Sequence, residues 1–161
     1  MRLNMLIRRV EKAQGEVLAC VKTACESPAV QRWIVSANQD QLSKGLNANG
    51  VLMNGGRYSP VAIKQRLSRG LPVNHVYLSF EGDLQRGMKV EYSQTGFAIV
   101  STDWKERLVE EAMRTGYWPS SGYEAPEYGP VFGLTAANKG ELSRMIRPIV
   151  GSQLRRRIMK G

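Results

Sequence analysis

"MKVEYSQTGFAIVS", Met88 to Ser101, decides the fold class. Met88, Val90 and Tyr92 alternate with Lys89, Glu91 and Ser93, the period of two that a half-buried strand needs. Phe97–Ser101 is apolar and β-branched, and the "SQTG" between the two runs is a hairpin turn signal. The stretch therefore predicts an antiparallel hairpin, with arms at Lys89–Ser93 and Phe97–Ser101. Just upstream, "HVYLSF" (His75–Phe80) alternates in the same way and predicts a further strand. "FEGDLQRGM" separates it from the hairpin with a single turn started at Asp83. Antiparallel strands are thus expected across 74–101.

Outside that region the spacing is helical. Leu3, Ile7, Val10, Val17, Val21 and Ala24 recur at three and four residues, with Gln14 at the one missing step. Ser27 and Pro28 read as an N-cap and first helical residue. A second helix carries Val30, Trp33, Ile34, Ala37 and Gln41, so 1–45 is expected to be a helical hairpin. The Gly- and Asn-rich "GLNANGVLMNGG" is mainly loop, with room for a short strand at Val51–Met53. Residues 57–70 predict a short capped helix: Ser59 is the N-cap, Pro60 the first residue, Ile63 and Leu67 share a face, and Gly70 ends it. A helix at 103–116 has Trp104, Leu108, Ala112 and Met113 as its stripe and Gly116 as its stop. Residues 117–130 form a Pro/Gly/aromatic loop, and "VFGL" (Val131–Leu134) reads as a strand. A C-terminal helix at 135–160 has Leu142, Met145, Ile146, Ile149 or Val150, Leu154 and Ile158 on one side, with Pro148 expected to kink it. The expected fold is a single α+β domain over 1–161, an N-terminal helical hairpin and a long C-terminal helix packed on a small antiparallel sheet.

The chain of 161 residues is 42% hydrophobic, an ordinary globular value. No apolar run approaches the ~18 residues of a membrane span, so a soluble, intracellularly made protein is expected and no membrane partner. Its formal net charge is +9. Such an excess suits phosphate, an anionic surface or an acidic protein, unless it serves solubility alone. Cys20 and Cys25 form a C-x4-C pair with one distant histidine, a poor zinc site, so packed reduced thiols are expected and no metal or cofactor.

No catalytic constellation stands out. Glu81 and Asp83 flank Gly82, a spacing that suits a turn with Asp as a cap better than acid–base chemistry. His75, the sole histidine, has no serine or cysteine motif beside it. The asparagine–glycine turns lack the spacing and lysine of a phosphate loop. An enzyme is not expected. The basic residues weigh more. From Lys139 to Lys160 there are seven cations (Lys139, Arg144, Arg147, Arg155, Arg156, Arg157, Lys160) against one acid, Glu141. They read either as a solvated helix end favoured by the dipole or as a surface for nucleic acid or an acidic neighbour.

"GGRYSPVAIKQRLSRGLPV…VYLSFEGDLQRGMKVEYS" resembles the tail-completion or virion-morphogenesis proteins of tailed bacteriophages, which sit at the head-to-tail neck. The resemblance lies in a helical pair, then an aromatic and a Ser-Pro opening a short helix with a lysine, then a Leu…Gly-Asp-Leu turn feeding a hairpin. Here these are Tyr58, Ser59, Pro60, Lys64, Leu78, Gly82, Asp83 and Leu84. A Gly/Pro-rich segment, an "FGL" element and a terminal helix follow, as at Tyr128–Leu134 and beyond. The resemblance runs from about Gln39 onward, and its motifs are short and structural. The long Thr102–Gly116 helix and the "YWPSSGYEAPEYG" loop depart from the pattern. It implies a structural virion protein in a homo-oligomeric ring, sixfold or twelvefold. Such a ring, acting as connector, tail-completion or tail-terminator layer, would contact portal, neck and tail proteins and, transiently, the double-stranded DNA passing through it.

On that reading Lys64, Arg66, Arg69, Arg155, Arg156 and Arg157 are candidate contacts to DNA or an acidic neighbour. Tyr117, Trp118, Tyr123 and Tyr128 are candidate subunit-interface anchors, because Tyr and Trp are favoured there. The competing expectation is a small basic nucleic-acid-binding protein, with the Ser59–Gly70 helix as its reader.

Overall fold

A computed structural model describes residues 2–76, 78, 82–93, 96–117, 125 and 127–158. Helix α1 (Arg2–Cys25) and helix α2 (Pro28–Ser43) are followed by α3 (Pro60–Leu67) and the single-turn α4 (Asp83–Arg86). Strands β1 (Met88–Tyr92) and β2 (Phe97–Ser101), α5 (Lys105–Thr115) and α6 (Ala136–Ile158) complete the described elements. The class is α+β. Two compact units divide the chain: a helical one of Met1–Arg32 with Gly140–Gly161, and a mixed one of Trp33–Lys139.

In the mixed unit the antiparallel hairpin forms where expected, its first arm Met88–Tyr92 beginning one residue before the predicted Lys89–Ser93. Met88 faces Ser101 and Tyr92 faces Phe97, with Ser93 N–H bonding Gly96 O at 2.8 Å to close the turn. Gln94 and Thr95 at its tip lie outside the described residues. Tyr92 and Phe97 rings meet as a tilted cross-strand pair, centroids 6.3 Å apart. Met88 and Ile99 turn inward. The core gathers Leu42, Met53, Val76, Met88, Val109, Tyr128 and Val131.

Three expected strands are absent from the described residues. At His75–Phe80, His75, Val76 and Leu78 are not in a strand, while Tyr77, Ser79 and Phe80 are outside the description. The described start of this segment, His75 and Val76, is tied to the end of α2. His75 Nε2 bonds Ser43 O at 2.6 Å, and Val76 O lies where a Cβ on Gly45 would come within 2.9 Å. Gly45 is also left-handed, at φ +75°, so no other residue fits there without strain. At Val51–Met53 the chain makes one isolated bridge, Leu46 to Leu52, then a 3₁₀ turn at Met53–Gly56.

The third case, Val131–Leu134, bends at Phe132 and Gly133 and pairs with side chains. Asn38 Nδ2 donates to Val131 O (3.3 Å) and Gly133 O (2.9 Å), and Gln41 Nε2 donates to Gly133 O (2.9 Å). Gln41 Oε1 accepts from Thr135 N–H at 3.1 Å. One turn upstream Asn47 Nδ2 donates to Tyr128 O (2.9 Å), while its Oδ1 accepts from the N–H groups of Asn49 and Val51. Backbone bonds Ala48 N–H to Pro130 O and Asn54 N–H to Glu127 O run alongside. The carbonyls that a neighbouring strand would take are spoken for by carboxamides.

Periodicity placed the helices better than it placed their faces. On α1 Cys20 and Ala24 are buried, but Ile7, Val10 and Val17 of the predicted stripe are exposed. On α5 Val109 and Ala112 point inward, whereas Trp104 stands ahead of the first turn and is 68% exposed. On α6 Leu142 is buried and Met145, Ile146, Ile149, Val150 and Leu154 are half-buried, as the pattern predicts. That helix continues on both sides of Pro148. Cys20 and Cys25 are buried and not joined in a disulfide, and burial pushes the Cys25 thiol up. No described helix is long and apolar enough to cross a membrane.

Asn47 is bonded through both ends of its carboxamide, which makes it the informative clamp residue to remove. Asn47→Ala leaves a buried carbonyl and two N–H groups without partners and should cost about 1–3 kcal/mol. Exposed Asn49→Ala should stay within about 0.5 kcal/mol. Urea unfolding of both variants checks the contrast; equal stability would mean the clamp holds nothing.

Candidate functional site

Helix α3 forms as its caps dictate. Ser59 Oγ accepts from Ala62 N–H at 3.2 Å, Pro60 fills the first position, and Gly70 follows in the left-handed region at φ +67°. Its three cations do not act as a set. Lys64 and Arg69 are exposed. Arg66 is 4% exposed, so it cannot meet DNA in this conformation. Its Nε donates to Pro72 O at 2.9 Å, and its guanidinium carbon stands 4.7 Å from the centre of the Tyr58 ring. Leu67, placed on one face with Ile63, is 59% exposed. Arg66 takes the inward face because its own carbonyl acceptor and an aromatic wall replace the water it loses.

The aromatic set divides as well. Tyr117 is 56% exposed, as an interface anchor would be. Trp118 and Tyr123 lie outside the described residues. Tyr128 is not a surface anchor: it is a core residue, held there by the Asn47 bond to its carbonyl. Burial pushes its phenol up to about 12, the neighbouring Tyr58 adds to the rise, and Arg66 opposes it. Gly129 beside it is left-handed, and a Cβ there would come within 2.5 Å of Asn47 Nδ2. A groove of about 710 Å³ opens next to this segment, floored by Val109, Met113, Val131 and Phe132 with Glu110 and Glu127 at its edge.

Of the residues weighed for catalysis, Glu81 is outside the described residues. Asp83 starts α4 and is ion-paired with Arg86 and, at 3.6 Å, with Lys105. Its bond with Arg86 is the main cause holding its carboxyl below the usual range. His75 lies between Ser43 O and Asn74 Nδ2. No group of three or more metal-ligating side chains occurs among the described residues.

The cations of α6 sit in the open. Arg155, Arg156 and Arg157 are exposed at its last turn while Leu154 is half-buried. They belong to a very uneven charge distribution. The helical unit has twelve Lys and Arg against four Asp and Glu, net +8; the mixed unit has eleven against ten, net +1. Pairing follows the same division. Among the described residues the mixed unit holds Arg86–Asp83, Lys89–Glu91 (2.8 Å), Lys105 with Asp83 and Asp103, and Arg114–Glu111. Among its described residues the helical unit holds Lys22–Glu26 alone, at 3.8 Å. Sequence reading located the basic run but not this segregation, because the two termini meet in one unit only after folding.

Comparison with protein-family models, with curated proteins and with solved structures gives no match.

Two outcomes follow for the Arg66–Tyr58–Tyr128 cluster. Arg66→Ala should destabilise by about 2–4 kcal/mol, losing a charged hydrogen bond and the ring contact, while Lys64→Ala stays within about 0.5 kcal/mol. Denaturant melts of the two variants decide between a packed and a surface arginine. For Tyr128, the folded phenol keeps its proton to higher pH than the unfolded one. Its contribution is therefore complete below about pH 10 and is lost as pH rises toward 12, by roughly 2–3 kcal/mol. Melting temperature measured against pH should fall less steeply through that window in Tyr128→Phe; an identical slope would place the phenol in water.

Proposed function

We propose that this chain is a structural subunit of a tailed-phage virion, assembling into a ring at the head-to-tail neck through which DNA passes. Its partners would be further copies of itself and the adjoining portal, neck or tail proteins. The observation that carries the reading is the spread of large apolar side chains left in solvent. They include Ile7, Val10 and Leu18 on α1, Val61 and Leu67 on α3, Leu52, Trp104 and Tyr117. A lone exposed leucine means little, but apolar residues on several separate elements suit a subunit with neighbours on more than one side. Ring closure requires two different patches per subunit, which such a spread supplies. The Tyr58–Leu84 sequence pattern supports the same reading by resemblance.

The second reading, a small basic nucleic-acid-binding protein without ring assembly, is favoured by the net +8 of the helical unit. Light scattering and negative-stain microscopy of the purified protein across a wide concentration range separate the two. Discrete rings, or ring assembly on adding a portal or tail component, support the neck subunit. A monomer or dimer at every concentration that binds duplex tightly overturns it.

A further inference from the structure

We infer that the outward face of α6 is a track for the phosphodiester backbone of nucleic acid, carried by Arg144, Arg147 and Arg155. At about 100° per residue, Leu142, Met145, Ile146, Ile149, Val150 and Gln153 gather on one side of the helix. All six are buried or half-buried. The opposite side collects Gly140, Arg144, Arg147, Pro148, Gly151 and Arg155, of which only Gly151 is half-buried and the rest are exposed. A Cβ on Gly140 or on Gly151 would meet nothing within 4 Å. Three guanidinium groups thus stand on a face where the compact Pro148 ring is the largest side chain between them. Arg155 Nε bonds Gly151 O at 3.3 Å, which lays that side chain along the face.

At 1.5 Å per residue Arg144 and Arg155 are roughly 16 Å apart, comparable with about five phosphate-to-phosphate steps along the axis of one strand. Arginine suits this target, since its planar fork grips phosphate oxygens in pairs.

The negative partner has to come from outside the chain. None of the three arginines has a carboxylate partner among the described residues. A second copy is a poorer polyanion: it carries +9 of its own, and among the described, exposed carboxylates of its mixed unit only Asp40, Glu110 and Glu127 stand outside the ion pairs that hold Asp83, Glu91, Asp103 and Glu111. A lipid surface fits less well than nucleic acid. Membrane-seated basic helices place large apolar side chains beside their cations, and this face has none.

The track does not depend on ring formation, so the two are measured separately. Fluorescence anisotropy with a labelled 20-base-pair duplex, titrated at several salt concentrations, reads the track; light scattering on the same samples reads assembly. The wild type should bind without sequence preference. Arg144→Gln, Arg147→Gln and Arg155→Gln together should weaken binding at least tenfold and lower the log–log salt slope by about 2–3. A control with the same charge change on the mixed unit, Lys44→Gln, Arg57→Gln and Arg107→Gln, should change affinity less than threefold. The lysine triple at the same three positions should keep most of the slope, which also shows that the face tolerates substitution. The inference is overturned if the glutamine triple binds like wild type, or if the control loses as much, since net charge alone would then explain binding. It is equally overturned if the wild type ignores duplex, whether or not it binds vesicles of phosphatidylcholine and phosphatidylglycerol.

Discussion

Three buried carboxamides set the conditions for the rest of the mixed unit. Asn38 and Gln41 project from α2, and Asn47 stands just past its end; together they take backbone groups from Tyr128 to Thr135. That segment has no strand partner, yet it carries Tyr128, Val131 and Leu134 inward. Without the carboxamides its carbonyls would be buried and unpaired, each costing about 1–3 kcal/mol. With them, an irregular chain can line a core. Val131 and Tyr128 then meet Val109 of α5 and Met88 of the hairpin in one cluster. The hairpin and α5 are locally well specified, but the segment they pack on is held by polar side chains distant in sequence.

This explains which parts were legible in the sequence. Helix ends were, because Ser59, Pro60 and Gly116 act on their immediate neighbours. The hairpin was, because alternation and a turn signal fix pairing within a dozen residues. The carboxamides were not: Asn38 reaches a carbonyl 93 residues away and Asn47 one 81 away, and nothing local marks either residue as buried. Faces fared in between. Spacing tells which residues of α1 share a side, but whether that side is covered depends on what else reaches it, and Ile7 and Val10 are left open.

The candidate site was misjudged where charge was taken as a guide to exposure. Arg66 sits in a basic helix between two exposed cations, and its sequence neighbourhood is indistinguishable from theirs. Its long aliphatic stem and flat head let it fill an inward position once a carbonyl and a tyrosine ring are in reach. Tyr128 was misjudged for the converse reason. Proline and glycine on either side made it look like part of a surface loop, yet Asn47 fixes its backbone and the ring follows into the core.

Where the charge ended up is the more consequential point. In the mixed unit carboxylates and cations neutralise one another, so its surface potential is nearly balanced. Among the described residues of the helical unit the buried apolar ones are few and partly small, namely Cys20, Ala24, Cys25, Val30 and Leu142. A thin core is a poor place to concentrate repulsion, since every unscreened cation pair subtracts from a small stabilisation. Solubility alone would be met as well by charge spread over both units. Concentrating it where it is least tolerated makes sense if the helical unit works against a polyanion, whose binding lowers the repulsion that folding leaves in place. If so, the exposed arginines of α6 and the exposed apolar side chains of α1 would belong to one condition, a surface that a partner outside the chain completes.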